Sequence, residues 1–144
     1  MTDFSSLLSR VEAARDADRE LDMRILCALM APAGSYVDRS KYNGAWCIYD
    51  ASHRLWEKRS WWHQDDWPLT SSTDAALRLV ERMLPWWDIT MRRGLRGEYA
   101  MAEICQRTGA FRDETLGFCE RADNELPLAI IAALLQALER KTHV

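Results

Sequence analysis

The run from Leu126 to Leu138, LPLAIIAALLQAL, carries no charge and points apolar side chains in nearly every direction of a helix. Such a helix has no polar face to give to water, so it cannot lie on a surface. It is also too short to cross a bilayer, which takes about 20 apolar residues. It must dock inside a folded domain, and the rest of the chain has to supply the apolar faces that cover it. A chain of 144 residues, 48% of them hydrophobic, is long enough to bury that core as one domain spanning 1–144.

Charge and cysteine usage narrow the function classes. The formal charge is −3, from 19 basic and 22 acidic residues, and no basic stripe follows the chain, so no nucleic-acid partner is expected. Cys27, Cys47, Cys105 and Cys119 are far apart and form no CxxC pair, the usual mark of a structural zinc site. The beginning, MTDFSSLLSRVEAARD, has no basic stretch leading into a long apolar run. A cytoplasmic protein with reduced thiols, no membrane attachment and no cofactor is expected.

Along the chain, Phe4, Leu7, Leu8 and Val11 have the spacing of a one-sided helix, with Asp3 or Ser5 as its cap. A second stripe runs through Leu21, Ile25, Ala28 and Leu29, with Asp18 placed to cap it, and Ala31-Pro32-Ala33-Gly34 ends it. Two short helices and one bent helix both fit. Residues 34–69 are irregular and rich in tryptophan, with short strands expected and a hairpin turn at Asp50 to His53. Ser72 caps a further helix whose buried face is Ala76, Leu79, Val80 and Met83, and Pro85 closes it. WWDITMRR, GLRG and EYAMAEICQ then read as a strand, a turn with glycine at both ends, and a second strand. After a loop at Thr108 to Phe111, DETLGFCERA adds a third strand with Leu116 and Phe118 inward, and Asp123 or Asn124 caps the final helix.

The expected fold is α+β: a three-layer α/β/α sandwich with a small antiparallel sheet, one apolar helix against each face, and a buried C-terminal helix. Three blocks, RELDMRI, PLTSSTDAALRLVERMLPWWDITM and ADNELPLAIIAALLQALERK, resemble in order those of the phage ABA sandwich domain, a family of small phage and prophage proteins named for their architecture. The resemblance spans roughly Leu7 to Lys141 and implies that fold and a phage or prophage origin. It implies no reaction, ligand or catalytic residue.

Three sites compete. Trp46, Trp56, Trp61, Trp62 and Trp67 lie in the irregular segment, and tryptophan is favoured where one end is dry and the other wet, as at interfaces and ligand pockets. They either plug the core or form a contact surface for a host protein, a sister subunit in a homo-oligomer, or a flat small-molecule ligand. Arg92, Arg93 and Arg96 are the local basic cluster, suited to the phosphate of a nucleotide-like ligand whose base stacks on the rings. His63, Asp65 and Asp66 are ligand types that a divalent ion accepts, which gives a metal-dependent hydrolase as the alternative; a solvated loop explains them as well. A structural subunit of a phage particle is the third class. The sequence lacks the convergent polar groups that catalysis needs and has aromatic surface to spare, so an accessory protein that acts by binding is the preferred reading.

Overall fold

A computed structural model describes residues 4–56, 68–85, 87–94, 96, 98–108 and 111–142, with the backbone alone for 107–108, 111–113 and 141–142. The helices are α1 (Ser5–Ala13), α2 (Arg19–Met30), α3 (Thr73–Met83) and α4 (Leu126–Thr142). The strands are β1 (Tyr36–Arg39), β2 (Trp46–Tyr49), β3 (Trp87–Arg93), β4 (Ala100–Thr108) and β5 (Phe111–Arg121). They form two antiparallel sheets, β1-β2 and β3-β4-β5, so the chain is α+β with helices packed against sheet. Among the described residues no helix is long and apolar enough to cross a membrane.

Helix α4 is the centre. Leu128 through Leu135 are each 0% exposed. Pro127 sits in the first turn, where its missing N–H breaks no helical bond. Strands β4 and β5 cover one side of α4, and α1 and α3 pack on it as well. From β4, Ala100, Ala102 and Ile104 alternate onto the helix at 0% exposure. The expectation had one helix on each face of the sheet. Among the described residues α4 packs extensively on the three-stranded sheet and α2 lies on β1 and β2. The other face carries Thr90, Arg92 and Glu120, all exposed, alongside the buried Met101 and Cys105.

Strand β5 corrects the expected parity. Cys105 pairs with Thr115 but Ile104 pairs with Gly117, so Leu116 is the extra residue of a bulge. Leu116 still packs partly against the core, but Phe118 points the other way and is 41% exposed. The inward residues are Gly117 and Cys119. At Gly117 a Cβ would lie 1.9 Å from the Ala133 carbonyl oxygen, so the strand rests on the backbone of α4 and only glycine fits. Pattern reading looks for large inward side chains, and here the close contact is made by having none.

Caps form largely where the residues suggested. Asp18 Oδ1 accepts from Leu21 N at 3.1 Å and Ser72 Oγ from Ala75 N at 3.2 Å. Asp123 Oδ1 accepts from Glu125 N, just ahead of α4. The stripe of α2 is rotated from the expected one: Ala28 is exposed, while Met23 and Leu26 join Leu21 and Ile25 in the core. The Asp50–His53 turn is present, held by Asp50 Oδ1 accepting from Ser52 N and Arg54 N at 2.8 and 3.1 Å. A second turn, between β1 and β2, closes through Ser40 N donating to Ala45 O at 2.7 Å.

Two polar ties fix the helices in place. Thr70 N donates to Asp22 Oδ1 at 2.7 Å, and Asp18 N donates to Thr70 Oγ1 at 2.8 Å, which pins the start of α2 to the segment ahead of α3. Arg121, at the end of β5, donates to the carbonyls of Val11, Glu12 and Ala14 at the end of α1 and pairs with Asp123. These are the orphan carbonyls every helix end leaves, and a buried guanidinium satisfies several together.

Gly117→Ala is expected to cost about 3 kcal/mol, because backbone rather than a flexible side chain must yield; urea unfolding measures it. Asp22→Ala is expected to cost about 1–3 kcal/mol by leaving the buried Thr70 N–H without its acceptor. Asp22→Asn should retain the acceptor. Burial raises the Asp22 carboxyl above its ordinary value, against smaller opposing effects from Thr70 and Arg19. The native state therefore binds that proton more readily than the unfolded chain, and its contribution to stability is lost as pH rises through the raised folded value. The difference in stability between wild type and Asp22→Asn should accordingly move in favour of wild type on acidification, as paired unfolding curves across the acid range will show.

Candidate ligand groove between the first two helices

A groove of about 690 Å³ opens where α1, α2 and the start of β1 meet. That size lies within the range of about 300–1,000 Å³ usual for small-molecule sites. Its floor follows from the end of α2. Ala31, held extended ahead of Pro32, stops the helix, and Ser35 N donates to Pro32 O at 3.2 Å to close a turn. Gly34 takes φ +87°, a left-handed conformation that side chains rarely adopt. The chain reverses there and lays Ser35 and Tyr36 along the groove.

Arg10 of α1 and Arg24 of α2 supply its charge. Glu20 Oε2 accepts from both, at 2.9 Å from Arg10 and 2.8 Å from Arg24. The bonds from Arg24 and then Arg10 hold the Glu20 carboxyl below its ordinary value. Two guanidiniums share one carboxylate, each has five donors, and their side chains are 39% and 41% exposed, so the pair keeps donors and net positive charge for an anion.

Tyr36 borders the groove, with its ring on the face of β1 and β2 opposite the core-facing Val37 and Ile48. Its ring stacks on Tyr49 at 5.6 Å, and its hydroxyl shares a 2.7 Å hydrogen bond with His53 Nδ1. The ring is thus held in place while remaining 36% exposed. Ser35 Oγ is buried and has no hydrogen-bond partner among the described residues. A buried hydroxyl without a partner is unfavourable, and this one belongs to a residue that lines the groove. Cys27 lines the same groove, but burial raises its thiol above the ordinary value, so it stays protonated and is not poised as a nucleophile. A second hollow, of about 590 Å³, borders Arg121, whose guanidinium is already engaged by Asp123 and the α1 carbonyls.

The residues singled out from sequence are distributed differently. Trp46 and Trp56 are half-buried and pack against the core, Trp46 with the Arg39 guanidinium 4.7 Å above its ring. The exposed rings among the described residues of that segment are Tyr36 and Tyr42. Trp61, Trp62, Trp67, His63, Asp65 and Asp66 lie outside the described residues. Arg92 and Arg93 point to opposite faces of β3, and Arg96 is exposed in the following turn, on the other sheet from Trp46. Among the described residues no three metal-ligating side chains converge. The groove residues Arg10, Arg24, Ser35 and Tyr36 were not foreseen as a site, since no motif joins them. Compared with protein-family models, curated proteins and solved structures, the chain matches none.

Ser35→Ala is expected to stabilise the free protein by about 1 kcal/mol, because it removes a buried hydroxyl that has no partner. Thermal unfolding of the two proteins without ligand checks this.

Proposed function

We propose that this protein acts by binding a small anionic ligand, a phosphorylated metabolite such as a nucleotide, in the groove between α1 and α2. The observation that carries the reading is the conjunction of the Arg10–Arg24 pair and the unpartnered Ser35 hydroxyl at one cleft. The arginines receive the phosphate or carboxylate, and Ser35 meets a polar atom of the ligand. Glu20 serves as the resident counter-ion that the ligand's anion partly displaces. Binding rather than catalysis fits a groove whose thiol is protonated and whose nearby histidine is engaged by Tyr36. The resemblance of the three sequence blocks to the phage ABA sandwich family bears only on a phage or prophage origin, and the ligand reading rests on the groove alone.

Titration calorimetry with nucleoside mono- and diphosphates, and with the matching nucleosides, tests the reading. The expected result is binding that needs the phosphate and weakens at least about tenfold in Arg10→Ala/Arg24→Ala, the loss of a charge-assisted hydrogen bond. Glu20→Gln is expected to tighten binding by releasing both guanidiniums. No binding of any of these compounds, or equal binding by the double arginine variant, would remove the proposal.

A further inference from the structure

Strand β3 is an edge: in the order β3-β4-β5 it pairs with β4 on one side, and among the described residues no strand pairs with the other. Gly94 N donates to Tyr99 O at 2.9 Å, which fixes the phase of the ladder. Counting back along alternate residues, the backbone groups of Arg92, Thr90 and Asp88 point to β4, and those of Ile89, Met91 and Arg93 point to the outer edge. Helix α4 lies mainly over β4 and β5 and touches β3 least. Met91 is accordingly 36% exposed on the sheet face where its neighbour Ala102 is completely buried. An outer edge of that kind, with an apolar residue left uncovered, is a template for another strand.

The sequence of the strand says which one. WDITMRR is complementary to itself when reversed about Thr90. In an antiparallel pair of two copies centred there, Asp88 stands opposite Arg92 of the second copy, Ile89 opposite Met91, and Trp87 opposite Arg93. Opposite charges meet on the solvent face, apolar side chains meet on the helix face, and a guanidinium lies beside an indole. Ile89 and the second copy's Met91 exchange both backbone bonds, because these are the residues whose N–H and C=O point outward. A shift of the centre to Met91 sets Arg92 against Thr90, and a shift to Ile89 sets Asp88 against Thr90, so either loses the charge pairing.

We propose that two copies of this chain associate through β3 in this register, joining their three-stranded sheets into one continuous sheet about a two-fold axis. The interface is small, so the association is concentration-dependent.

Sedimentation velocity of the full chain across a micromolar series tests it, with a limiting mass of twice the 16.7 kDa chain expected. Asp88→Arg alone and Arg92→Asp alone each set like charges face to face and are expected to weaken association about tenfold. Mixing the two variants restores complementarity and should restore the dimer. The exchanged variant Asp88→Arg/Arg92→Asp should pair with itself but not with wild type, a result that damage to the fold could not produce. A wild type that stays monomeric throughout the series overturns the proposal, as does a dimer that neither single reversal weakens.

Discussion

A helix without a polar stripe imposes its requirements on everything around it. In α4 the residues from Leu128 to Leu135 are wholly buried, and each direction they face is closed by a different element. The requirement is met with backbone proximity on the sheet side, where Gly117 removes the side chain that would hold β5 away from Ala133. On the helix side the approach is made at another small residue, Ala133. Packing of this kind has little tolerance, because neither surface can retreat by a change of rotamer.

The polar ties explain why the groove has a fixed shape although its walls are short helices. Arg121 holds the end of α1 by its carbonyls, and Thr70 holds the start of α2 through Asp22 and Asp18. Glu20 then spans the two helices by taking both Arg10 and Arg24. Isolated helices of nine and twelve residues would be marginal in water. Here each is fastened at one end by a group from a distant part of the chain, so the geometry of the groove depends on the folding of the whole domain.

Much of the fold can be read from local chemistry. Asp18 and Ser72 signal their helix starts because capping acts over three residues, and WDITMRR signals a strand because alternation acts over two. The β5 parity could not be read that way. Gly117 and the bulge at Leu116 are set by α4, which comes later in the chain, and an apolar Phe118 facing outward looks inward to any rule that counts hydrophobic residues. The groove was less legible still. Arg10, Arg24 and Ser35 are each ordinary surface residue types, and their convergence is a product of how α1 meets α2. Tryptophan drew attention by its rarity, yet Trp46 and Trp56 serve the core, and the exposed rings belong to tyrosines.

The two margins of the larger sheet are unequal. Along β5, Gln136 Oε1 accepts from Phe118 N at 2.9 Å and Arg140 donates to Thr115 O at 2.6 Å, so side chains one helical turn apart occupy backbone groups that a newcomer would need. Among the described residues, no strand pairs with the outward backbone groups of Ile89, Met91 and Arg93 on β3. A sheet with both margins available could lengthen without limit as molecules add in succession, the route to a filament. With one margin stoppered by α4, growth through the other ends after a single addition, and the helix that organises the core also acts as the protein's safeguard against fibrous assembly.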